Sequence, residues 1–192
     1  MLNKYDLVFD LDLTIIDSFN TIFNIYNKIH HTNIHYNLND ICWDFKPFAK
    51  TKEEVDYLLS LFDDESFYDK DNLIVFENAI NILNKLSQNY SIAICSKHKD
   101  GCKRKKYTTK WLKSILPKVD ILLVDDFEKG KYIKSCSIFV DDRLDCLESM
   151  KSKSQMVVCY GLYDWNKEWK FKRVLNWIDL ENLIFDFFNK RK

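Results

Sequence analysis

The chain has 192 residues, 30% charged and 46% hydrophobic, enough for one folded domain with a small insertion and unlike a disordered chain. Its 29 basic and 29 acidic residues cancel, so no global field draws it to nucleic acid or to an anionic membrane. The three glycines, Gly101, Gly130 and Gly161, form neither a Walker loop nor a dinucleotide-binding loop, and no apolar run approaches the ~20 residues that span a bilayer.

The first apolar run, 7–9, opens the chain almost at once, so no signal or transit peptide is expected. Six cysteines without C-x-x-C spacing fit a reducing, cytoplasmic setting without disulfides. Residues 17–76 then show helical patterns without a clear strand. "SFNTIFNIYNKIHH" places Phe19, Ile22, Phe23, Tyr26 and Ile29 on one side, "NDICWDFKPF" is polar and studded with aromatics, and "KEEVDYLLSLF" reads as a second helix. This predicts a helical cap at 17–76, inserted after the first strand of a core built from 1–16 and 77–192. His30, His31 and His35 lie in a polar stretch without cysteine partners, so no zinc site is expected there.

From residue 77 the pattern alternates. Apolar runs at 91–95, 121–124, 137–140 and 156–160 read as buried parallel strands. Helical stripes fall at 77–89, 107–116 and 145–152, and "RVLNWIDLENLIFDFFNK" predicts an amphipathic terminal helix or helix pair. Strands alternating with helices predict an α/β doubly wound parallel sheet, Rossmann-like, in which ligands bind at the carboxyl ends of the strands.

Three of those strand ends carry polar groups: Asp10, Asp12 and Thr14 after the first, Ser96 after the second, and Asp141 with Asp142 after the fourth. Parallel strands bring these ends to one edge. Four converging carboxylates repel unless a hard divalent cation joins them, and Mg²⁺ favours carboxylate oxygens, water and a substrate phosphate. The basic run "KHKDGCKRKKYTTK", which begins at Lys97, is either a solvated helix start or a local path for phosphate substrates.

The ordered set D-x-D-x-T, strand-end Ser96 and paired Asp141-Asp142 resembles the haloacid dehalogenase-like phosphohydrolases. The resemblance implies that Asp10 is a nucleophile and Asp12 a general acid and base that carries a proton at rest. Ser96 and Lys131 (with Lys129 as the alternate) would hold the phosphoryl group, and Mg²⁺ would be held by Asp10, the backbone carbonyl of Asp12, Asp141 and Asp142. Leu13 departs from the pattern, since many members carry glycine there. "FVDDRLD" and the C-terminal segment with Asn166, Arg173 and Trp177 are similar to the 5′(3′)-deoxyribonucleotidases. That implies a Mg²⁺-dependent phosphomonoesterase acting on nucleoside monophosphates, a small-molecule phosphate ester, with Thr14, Lys97, Arg143 and the cap aromatics Trp43 and Phe45 contacting substrate. A polynucleotide 3′-phosphatase, a small-metabolite phosphatase and an inactive binding module are the alternatives. Short nucleic-acid ends and a second copy of the chain, a homodimer, stay open as partners.

Overall fold

The computed structural model describes residues 3–37, 42, 45, 46 and 48–191. Six parallel strands form one sheet: β1 (Asn3–Phe9), β2 (Ile92–Lys97), β3 (Asp120–Val124), β4 (Ile133–Asp141), β5 (Ser154–Tyr160) and β6 (Arg173–Val174), in the order β3-β2-β1-β4-β5-β6. β1 is central because Leu7, Val8 and Phe9 are apolar on both faces and fully buried. Its residues 7 to 9 pair with 92 to 94 of β2 on one side and with 138 to 140 of β4 on the other. The strand order therefore reverses beside β1, and the crevice at such a switch point, outside the carboxyl ends of the strands, is where open α/β sheets bind ligands.

The helices are α1 (Ser18–His30), α2 (Lys52–Ser60), α3 (Ala79–Leu86), α4 (Arg104–Ile115), α5 (Leu144–Met150) and α6 (Trp177–Asn189). Asp17 starts α1 by accepting the Asn20 N–H at 3.0 Å, and the helix buries Phe19, Ile22 and Phe23. Thr51 and Glu54 form a reciprocal capping box on α2. Short 3₁₀ turns follow at Leu61–Asp63 and Glu65–Tyr68. The neck of this segment is pinned. Asp17 N–H donates to Ile74 O (2.9 Å), Phe76 N–H donates to Ile15 O (3.0 Å), and Ile16 bridges Val75 in antiparallel sense.

The C-terminal expectation needs correction at one point. Arg173 and Val174 are not helical but pair with Cys159 and Tyr160 as the edge strand β6. The helix begins only at Trp177, because Asn176 is extended and its side chain accepts the Asp179 N–H at 2.8 Å. One core cluster joins Leu7, Phe9, Ile138 and Val140 to α1, α3 and α6; a second, on Val8, Cys95 and Phe139, is covered by Cys146, Leu147 and Met150 of α5. Among the described residues no helix is long and apolar enough to cross a membrane.

Candidate active site

Asp10 is the first residue beyond β1, and its N–H donates to Val140 O at 2.9 Å, which registers it against the end of β4. The chain then turns back on itself: Ile15 and Ile16 N–H donate to Leu11 O, and Leu13 N–H donates to Ile16 O at 2.7 Å. Leu13 pays for this turn with a left-handed φ of +56°, a conformation glycine adopts freely and an L-residue enters at a cost of about 1 kcal/mol. Two distant side chains hold the turn, Tyr163 Oη donating to Leu13 O (3.2 Å) and Trp177 Nε1 to Thr14 O (2.9 Å). Trp177, buried beside Phe9, thus packs and positions rather than facing a substrate.

The acids expected to converge do so. Asp10, Asp141 and Asp142 are buried, and each offers an oxygen within 4.8 Å of the others. An all-oxygen, carboxylate-rich donor set of this kind suits a hard divalent cation. Asp141 also accepts the Arg143 N–H at 2.9 Å. Asp142 accepts the Trp165 indole N–H at 2.7 Å, while its carbonyl accepts Asn166 Nδ2 at 2.8 Å. Arg173 locks that loop by donating to Asn166 Oδ1 (2.9 Å) and Asn166 O (2.6 Å).

The lysine is a correction. Lys131 is 54% exposed at its side chain and pairs with Asp126 (2.5 Å) and Glu128 (3.0 Å) on the surface. Lys129, 1% exposed, enters the site instead, its ammonium bonding Asp10 and lying 2.6 Å from Asp141 Oδ2. The 3₁₀ turn Lys129–Lys131 separates the two lysines, burying the first and leaving the second exposed.

Arg104, an unremarked cation in the basic run, also belongs to the site. Its Nη2 lies 2.5 Å from Asp12 Oδ1, its guanidinium sits over the rings of Phe62 (4.3 Å) and Phe67 (5.2 Å), and its N–H donates to Asp63 Oδ1 at 3.3 Å. Arg104 is the one arginine among the lysines of that run, which marks it by residue type, but its pairing with Asp12 is tertiary.

The electrostatics follow from this arrangement. Burial pushes the Asp10 carboxyl up to about 7, with the Lys129 ammonium opposing the rise and Asp141 and Asp12 adding to it. Burial, then the Asp141 charge, raises Asp142 as well. Burial acts upward on Asp12 too, but the Arg104 guanidinium outweighs it and holds Asp12 below the usual carboxylate range. A resting Asp12 that carries a proton is therefore corrected: Arg104 keeps it ionised. Burial drives the neighbouring His98 down to about 3, so that its imidazole is neutral.

A small pocket of about 40 Å³ opens on this group, lined by Asp10, Asp12, Ser96 and Lys129 at its base and by Lys97, Phe127 and Arg143 beside them. Lys97 and Arg143 thus line the pocket that Asp10 opens on. Thr14 does not line the pocket but is fully buried in the turn. Phe45 is corrected: it is fully buried, its ring 5.0 Å from Phe19 and 6.1 Å from Phe23, so it is core and has no free face for a base. Trp43 lies outside the described residues.

Several solved structures share this fold. A haloacid dehalogenase superfamily hydrolase from Ehrlichia chaffeensis is 20% identical, with a TM-score of 0.58 over 96% of this chain and 97% of that one. A haloacid dehalogenase-like hydrolase from Streptococcus pneumoniae is 15% identical, with a TM-score of 0.55 over 96% and 98%. The hydrolase YfnB from Bacillus subtilis, described as bound to magnesium, is 14% identical, with a TM-score of 0.57 over 95% and 99%. No curated protein matches the chain by sequence. The family model of the 5′ nucleotidase, deoxy (pyrimidine), cytosolic type C protein (NT5C) matches residues 4–191. With nearly every residue inside that match, the chain belongs to this nucleotidase family and is a phosphatase with the haloacid dehalogenase-like fold.

Proposed function

We propose that this phosphatase hydrolyses nucleoside monophosphates, deoxyribonucleotides among them, through an aspartyl-phosphate on Asp10. The observation that carries the reading is the buried group of Asp10, Lys129, Asp141 and Asp142 at the switch point of the sheet, with Ser96 beside it. The ammonium of Lys129 faces Asp10 and so stands where a phosphoryl group attached to Asp10 would carry its charge. Ser96 Oγ and Lys129 Nζ hold the phosphoryl oxygens as charge redistributes. Asp10 attacks phosphorus and the ester oxygen leaves with a proton from Asp12. Water then attacks the aspartyl-phosphate and gives a proton to Asp12, which restores the carboxylate on Asp10. The ion pair with Arg104 suits Asp12 to the second step; in the first, Arg104 must loosen its hold for Asp12 to carry a proton.

Asp10, Asp141, Asp142 and the carbonyl of Asp12 are the groups that would hold Mg²⁺, and their hard oxygens fit it. When bound, the cation neutralises charge on the phosphoryl oxygens. Residues 17–76 act as a cap that reads the leaving group, with Trp43 as the residue that stacks on a base. The family description, a cytosolic type, favours a cytoplasmic setting.

Turnover of dUMP, dTMP, UMP, a sugar phosphate and a 3′-phosphorylated oligonucleotide tests the substrate class. The deoxyribonucleotides should lead by at least about tenfold in kcat/KM, a difference of about 1.4 kcal/mol in transition-state binding. A lead by the oligonucleotide or the sugar phosphate would reject the nucleotide reading. Asp10→Asn should leave the fold intact and abolish turnover on all five; substantial residual activity would reject the covalent route.

A further inference from the structure

Phe127 lies in the loop after β3, and the end of β2 and the segment after β4 meet on it. Lys97 Nζ, at the end of β2, is 4.1 Å from the centre of its ring, and the Arg143 guanidinium, just after β4, is 4.0 Å away. All three residues line the pocket that holds Asp10. The backbone of Phe127 serves the same site, its carbonyl accepting the Lys129 N–H at 2.8 Å. The residue is itself fixed, since Asp126 Oδ1 accepts the Glu128 N–H at 3.0 Å and the ring packs on the second core cluster.

The choice of a ring as support has an electrostatic consequence. A carboxylate would orient Lys97 and cancel its charge; an aromatic face orients it and leaves the charge in place. Among the described residues Lys97 forms no ion pair, and the Phe127 ring is its contact. Arg143 is shared, its Nη2 also 2.8 Å from Asp145 Oδ2. Asp10, Asp12 and Asp142 line this same pocket, and those of them that are ionised repel a phosphate dianion on its way in. A lysine held at the same pocket with its full charge offsets that repulsion.

We propose that Phe127 is a positioning residue for substrate capture, its ring holding Lys97 and Arg143 toward the phosphate ester that enters the Asp10 pocket. The inference rests on that pocket being the site of phosphate transfer, so Asp10→Asn is the control.

The variants are Phe127→Leu, which keeps apolar bulk without a π face, Phe127→Tyr, which keeps the face, and Lys97→Gln. The measurements are KM and kcat for p-nitrophenyl phosphate and Ki for inorganic phosphate. Phe127→Leu should raise KM and Ki by about tenfold while kcat stays within about twofold, and Phe127→Tyr should match the parent enzyme. Adding Phe127→Leu to Lys97→Gln should cost less than the two single effects multiplied, because both act through one ammonium. Unchanged constants in Phe127→Leu, a loss confined to kcat, equal losses in the Leu and Tyr variants, or fully independent effects in the double variant would overturn the proposal. Activity surviving in Asp10→Asn would instead remove the pocket from the reaction, and the proposal with it.

Discussion

Lys129 and Lys131 are two residues apart and opposite in consequence. Lys129 is buried against Asp10 and Asp141, so its loss leaves two carboxylates without their cation inside the protein. Breaking such a pair by removing one partner costs about 3–5 kcal/mol. Lys129→Met should therefore lower the melting temperature and reduce kcat by at least about a hundredfold, the scale of losing a fixed charge at the reacting group. Lys131→Met removes only surface pairs with Asp126 and Glu128 and should leave both kcat and the melting temperature as they were. Steady-state assays and thermal melts of the two variants side by side check this, and a larger kinetic loss in Lys131→Met would reverse the assignment. From sequence the lysines are equivalent, both shortly before the strand that ends in Asp141. Burial alone separates them, and burial is set by the 3₁₀ turn and by what packs on it.

At the scale of elements, the segment between β1 and α3 has its own aromatic interior and a pinned neck. Phe45 sits in that interior against Phe19 and Phe23, with φ at +56°. Phe45→Ala should destabilise the protein by about 3–5 kcal/mol and depress activity on a nucleotide and on p-nitrophenyl phosphate alike. Trp43→Ala should instead raise KM for the nucleotide by about tenfold and spare the small ester, because base–aromatic stacking is worth ~1–3 kcal/mol. Thermal melts and KM values on both substrates separate the two. Equal losses in Trp43→Ala would assign Trp43 to packing as well. Sequence pattern offered both aromatics as base-stacking candidates but could not mark Phe45 as core in "CWDF", where neither helical nor strand period applies. It missed β6 for a related reason: two residues are too short to show a period, and their pairing with β5 is decided across the sheet.

For the whole molecule, the crowd of acids should make stability depend on pH and, if these acids bind Mg²⁺, on metal as well. The folded pKa of Asp10 is raised to about 7 from an ordinary 3.8. Between those values the unfolded chain has released this proton and the folded chain keeps it, so the contribution of Asp10 to metal-free stability falls as pH rises from about 4 to about 7, while His98, neutral in its buried place, contributes in the opposite direction below about 6.5. Mg²⁺ needs the carboxylates ionised, so it should raise the melting temperature more at pH 7.5 than at pH 5, and excess chelator should abolish both that increment and turnover. Melting curves with and without Mg²⁺ at the two pH values test this; an equal increment at both would detach the metal from these acids. The chain alone was enough for the doubly wound α/β class and for the convergence of Asp10, Ser96, Asp141 and Asp142. Strand-length apolar runs mark buried parallel strands, and parallel strands carry their terminal residues to one edge. Tertiary structure decided the rest: Lys129 over Lys131, Arg104 on Asp12, Trp165 on Asp142, Phe127 under Lys97, and Phe45 in the core. Each of these depends on which side of a turn or loop a side chain leaves, and that is set by packing between segments far apart in the chain, where no local period reaches.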